Sequence, residues 1–93
     1  MLFRSAVYQA KAGDDAAARR TLAQAEKLAA DDGPVQLRSG VVHALAGRTD
    51  EALAAIERAL KGGISPRDID SEEDFERLRP LPRFAAMVSI QQR

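Results

Sequence analysis

The sequence is self-similar at an offset of 34 residues. The stretch ALAGRTDEALAAIERAL, beginning at Ala44, has a blurred earlier copy in AKAGDDAAARRTLAQAEKL, beginning at Ala10. With Gly13 set on Gly47, Ala6 falls on Gly40, Ala18 on Ala52, Leu22 on Ile56 and Ala25 on Ala59. Small residues meet small ones, and large apolar residues meet large apolar ones. A fixed period in this range marks a stack of equivalent supersecondary units, none of which buries its apolar face alone.

Each unit reads as two helices. Val35, Val42, Leu45, Leu53, Ile56 and Leu60 recur at spacings of three, four and seven, which draws apolar stripes along helices and not the alternation of a strand. Pro34 suits a first helical turn, where its missing N–H would have no intrahelical partner. Thr49 is expected to cap the next helix, with Asp50 and Glu51 near its positive end. Arg58 and Lys61 fall in that helix's last turn, and Gly62-Gly63 offers left-handed geometry to end it. Glu57 and Lys61 form an i,i+4 pair, worth only about 0.2–0.5 kcal/mol.

A two-helix period of this length, with these small residues, resembles the tetratricopeptide repeat. Gly40 and Ala52 match the family's small positions where its two helices approach, Gly47 its turn glycine, and Ala59 the small residue on which the next repeat docks. Ala6, Ala18 and Ala25 are the counterparts in the first copy. That copy, Leu2 to Ala30, departs at Gln9, where the family prefers an aromatic residue, and at Arg19, where it prefers an aliphatic one. The likeness covers about two thirds of the chain. It implies an all-α, right-handed superhelical stack of antiparallel hairpins in a single domain. Residues 1–32 would form repeat 1, 33–63 repeat 2 and 64–93 a C-terminal capping hairpin.

After Gly63 the period breaks, because the same offset sets Asp74 on Gly40 and Leu81 on Gly47. Ser65-Pro66 can open a short helical turn. Ser71 with Asp74 reads as a capping box for a helix over roughly Glu72 to Arg79, and Pro80 and Pro82 stop one helix and start another. Phe75, Leu78, Phe84, Met87, Val88 and Ile90 are the apolar payload. The tail is similar to the degenerate hairpin with a DF…LR…PRF pattern that often closes bacterial tetratricopeptide arrays. Phe75, Leu78, Arg79, Pro82, Arg83 and Phe84 carry the likeness, while Leu81 replaces the usual acidic residue. An atypical end hairpin is the expected cover for a solenoid's last apolar face, so Phe75 and Phe84 are expected to pack on the second helix of repeat 2.

No constellation of catalytic or metal-binding residues stands out. His43 is the only histidine and there is no cysteine, so neither a shared metal nor an activated thiol is expected, and His43 reads as a half-buried packing or surface residue. The run DIDSEED, Asp68 to Asp74, lacks the central glycine of a calcium loop and would put Arg79 at the final ligand position. In KGGIS, Lys61 precedes the glycines, unlike a phosphate-cradling loop. No serine sits in a glycine-flanked elbow. The chain is therefore read as no enzyme, with no cofactor. Its 14 basic and 14 acidic residues are spread evenly, giving neither a nucleic-acid face nor an acidic tail. Arg4 and Lys11 interrupt the opening before a signal-peptide core accumulates, and no stretch is apolar enough for a membrane span. The expectation is a soluble cytoplasmic protein.

What remains is surface. In the family the first helix of each pair lines the inner, concave face, which here implies Phe3, Arg4, Val7, Ala10 and Lys11 from the first repeat, and Leu37, Arg38, Val41, Ala44 and Leu45 from the second. The family's asparagine-rich carboxylate clamp has no match, because the chain has no asparagine. An apolar groove edged by Arg4, Lys11 and Arg38 would suit an amphipathic protein segment with acidic flanks. The function so implied is protein–protein interaction. Two alternatives stand beside it: a structural or self-association module, and the terminal piece of a larger regulator whose catalysis lies elsewhere. An exposed patch of Phe3, Val7, Leu37 and Val41 would favour a homodimer, unless the tail or another partner covers it.

Overall fold

The computed structural model describes residues 2–89, with side chains from Ala6 to Ser89. Phe3 and Arg4, as side chains, and Ile90 lie outside that description. The chain is all-α: helices α1 (Leu2–Lys11), α2 (Asp15–Ala29), α3 (Gly33–Leu45) and α4 (Thr49–Lys61) are followed by a short α5 (Pro66–Asp70), a 3-10 helix (Glu73–Leu78) and α6 (Pro82–Ser89). No strand occurs among the described residues.

Helix α1 packs on α2 and α3 on α4 as two hairpins, and α3 lies against both helices of the first. The hairpin turns have the same backbone bonding at the sequence offset. Ala12 donates to Tyr8, Gly13 to Ala10 and Asp14 to Gln9 in one turn; Ala46 donates to Val42, Gly47 to Ala44 and Arg48 to His43 in the other. Gly13 and Gly47 sit at φ 88° and 80°, a left-handed conformation in which a Cβ is strained. Both turns therefore need glycine.

Ala6, Ala18, Ala25, Gly40, Ala52 and Ala59 are all buried. A Cβ on Gly40 would stand 3.3 Å from Ile56 Cγ1 and 3.6 Å from the Ala52 carbonyl oxygen, both on α4, and 3.4 Å from Phe75 Cζ in the tail. A tighter crossing joins the α2–α3 connection to the end of α4. There a Cβ on Gly62 would meet Gly33 N at 2.7 Å and Cα at 2.8 Å. Gly62 thus serves close approach at φ −83°, and Gly63 alone takes the left-handed turn at φ 103°. The left-handed ending expected of Gly62-Gly63 is thus carried by Gly63.

Local capping departs from the sequence reading in two places. The N-cap of α4 is Arg48, and Thr49 already lies inside the helix. Ser71 and Asp74 form no capping box: the Ser71 hydroxyl donates to the Asp68 carbonyl at 3.0 Å, and the Asp74 carboxylate meets Lys11 Nζ at 3.4 Å. Residues 73–78 wind as a 3-10 helix, in place of an α-helix reaching Arg79. Ser65 caps α5, accepting from Asp68 N–H at 3.2 Å, with Pro66 at its first position. Pro82 opens α6.

The tail closes the core from two sides. Helix α6 packs on α4 and α5, and the 3-10 helix packs on α3, where Phe75 Cζ stands 3.4 Å from the Cβ position of Gly40, a point that also faces Ile56 of α4. Phe75 and Phe84 are fully buried, their rings edge to face at 6.1 Å and 65°. Ile69, Leu78 and Val88 complete the covering layer.

Candidate partner-binding face

The face expected to be an open groove is closed at Val7 and Val41. Val41 is 0% and Val7 9% exposed, so both belong to the core and neither lines a surface. The physical reason is crowding around α3, which has α1, α2, α4 and the 3-10 helix packed against it. The patch of Phe3, Val7, Leu37 and Val41 that suggested self-association is thus not on the surface at Val7 or Val41. Lys11 and Leu45, at the C-terminal ends of α1 and α3, meet the tail. Lys11 pairs with Asp74, while Leu45 shares a cavity of about 190 Å³ with Ala44, Glu73, Asp74, Glu76 and Arg77. Leu37 and Arg38 remain half-exposed near the start of α3. At the sequence offset their counterparts on α1 are Phe3 and Arg4.

The tail segment covering this face is itself amphipathic and acidic. Phe75 and Leu78 are buried, while Glu73 and Glu76 stay exposed and Asp74 reaches Lys11. An acidic-flanked apolar segment, the ligand chemistry expected for this face, is therefore already seated on its C-terminal half as part of the same chain.

Polar contacts that the sequence reading missed tie the hairpins together. Gln36, buried near the start of α3, donates from Nε2 to the Ala30 carbonyl at 2.7 Å and accepts from Arg58 Nε at 2.9 Å. It satisfies a carbonyl left over at the end of α2 and anchors α4 in one step. Arg48 Nη1 and Nη2 grip Asp15 Oδ2 and Oδ1 at 3.0 Å each, and its Nε donates to His43 Nδ1 at 2.8 Å. The hydrogen bond from Arg48 holds the Asp15 carboxyl below its ordinary range, and partial burial, helped by the Arg48 charge, holds the His43 imidazole below its own. Gln9, the equivalent of His43 in the first hairpin, accepts from the Thr21 hydroxyl at 2.8 Å. Polar residues at both positions thus find polar partners where the resemblance implies an aromatic. Ser39, fully buried on α3, has no hydrogen-bond partner for its hydroxyl.

Among the described residues, no group of three or more histidine, cysteine or acidic side chains could hold a metal ion, and no helix is long and apolar enough to cross a membrane. No family model matches the chain, and no curated protein or solved structure matches it.

Proposed function

We propose that the chain is a tetratricopeptide-like protein-interaction module, two hairpins in a right-handed superhelical stack closed by a degenerate capping segment, with no catalysis of its own. The observation that carries this reading is the repetition of one turn, bond for bond, at an offset of 34 residues. The half of the inner face left open by the tail is its binding surface. Leu37 supplies an apolar contact and Arg38 a cationic edge, with Phe3 and Arg4 at the matching register on α1. A partner segment with acidic residues beside an apolar anchor fits that chemistry, and the chain's own 3-10 helix is a seated example of it. The test is affinity capture from native lysate with wild type, Arg38→Glu and Leu28→Asp, each shown folded by circular dichroism. Loss of a captured protein by Arg38→Glu alone supports the face. Equal capture by all three rules against it.

A second reading, self-association, has one observation in its favour. Tyr8, at the register of the fully buried Val42, is 65% exposed, and Leu28 is 79% exposed on the same hairpin. Light scattering on wild type and Tyr8→Lys separates the readings. A dimer lost in Tyr8→Lys supports self-association, and a monomeric wild type removes it.

A further inference from the structure

Arg48 stands at the N-cap position of α4, yet its side chain makes no cap. Its guanidinium spans two other elements, with one edge on Asp15 at the start of α2 and Nε on His43 of α3. A guanidinium N–H only donates, so His43 Nδ1 must present a lone pair, and the ring is neutral with its proton on Nε2. Five charged groups bear on the ring. Asp15, Arg19 and Glu26 come from α2, Arg48 from the α3–α4 turn, and Glu51 from α4, with Glu51 Oε2 at 3.9 Å from Nδ1 and 3.6 Å from Arg48 Nε.

We infer that His43 is a proton-operated latch on the joint between the two hairpins. The neutral ring holds the guanidinium aligned on Asp15. A proton taken up at Nδ1 removes the acceptor, sets cation against cation and gives the imidazolium a new partner in Glu51. Arg48 then loses one of its two anchors, and its two-point grip on Asp15 loosens. Only a proton is transferred, onto Nδ1; no covalent bond between heavy atoms is made or broken.

The direction of the pH effect follows from the ring's surroundings. Partial burial and the Arg48 charge hold the folded ring below 6.5, so on acidification the unfolded chain takes the proton first. Stability is therefore fully present above pH 6.5 and is lost as the pH falls from there toward the folded midpoint. Asp15 is held below 3.8 and stays ionised across that window. As the chain has one histidine, no other side chain of ordinary pKa changes charge there.

The test is an NMR titration of the full chain between about pH 8 and pH 5, following the imidazole nitrogens, Arg48 Nε and the amides of Asp15–Ala18, together with thermal melts of wild type and His43→Gln. The expected result has four parts: the Nε2-protonated tautomer at high pH, a ring midpoint below 6.5, Arg48 Nε and the α2 amides shifting with that same midpoint, and a melting temperature that falls across the window in wild type only. A ring titrating at or above 6.5 overturns the latch. So does a ring that titrates while Arg48 Nε and the α2 amides stay still, and so does an acid-side loss of melting temperature that persists in His43→Gln.

Discussion

The turns at Gly13 and Gly47 share their backbone bonds and their left-handed glycine, but the residue that follows does different work in each. In the first turn Asp14 caps its own helix, accepting from Ala17 N–H at 3.1 Å. In the second, Arg48 gives up the cap and reaches back to the first hairpin. Glycine and the small residues fix the backbone, which leaves the cap position free to hold the joint. The tail lacks both glycine and offset, and it is held by large apolar side chains instead. The molecule thus has two kinds of region, one set by close backbone approach and one by ring burial, and substitutions should act on them differently.

The largest effect is expected at Phe75, where truncation to alanine empties a fully buried site between Gly40 and Phe84. Phe75→Ala should cost about 3–5 kcal/mol in chemical denaturation. A loss under about 1 kcal/mol would make the tail an accessory to the hairpins.

Backbone approach should give the next largest effects. Gly62→Ala forces a Cβ against the Gly33 main chain, which cannot yield as a side chain can, and about 1–3 kcal/mol or more is expected. Gly40 offers a sharper contrast. Alanine there meets neighbours at 3.3 Å or more and improves helix propensity, so it should be near neutral, whereas Gly40→Leu should overpack by about 1–3 kcal/mol. Equal melting of those two variants would contradict the close approach.

Gly13→Ala and Gly47→Ala should each cost about 1 kcal/mol, from strain at positive φ with no neighbour within 4 Å. Their near equality is the point of the pair, and a gap of more than about 1 kcal/mol would break the equivalence of the two turns. The smallest effect belongs to Lys11→Ala. Lys11 is 48% exposed in its pair with Asp74, so about 0.2–1 kcal/mol, diminishing with added salt, is expected.

The hairpins were legible in the sequence because helical period, turn glycine and small-residue register are local signals that recur at one offset. The fate of the inner face was not. A helix such as α3 meets neighbours on several sides in a small domain, and its own periodicity carries no signal of the 3-10 helix that packs on it from beyond α5. Arg48 and Asp15, 33 residues apart, escaped for a related reason: apolar periodicity says nothing of where a long cationic side chain will reach. Ser71 and Asp74 carried the spacing of a capping box, yet each found a competing partner, in the Asp68 carbonyl and in Lys11.

The tail lies on α3 and so decides how much of that helix stays open. Nuclear Overhauser contacts from the Phe75 ring report on this placement, since the ring edge lies 3.4 Å from the Cβ position of Gly40. Strong contacts from the Phe75 ring to the Gly40 α-protons and to the Phe84 ring are the expected result. A Phe75 ring with contacts to α4 and none to Gly40 would contradict this placement and return the inner face to an open groove.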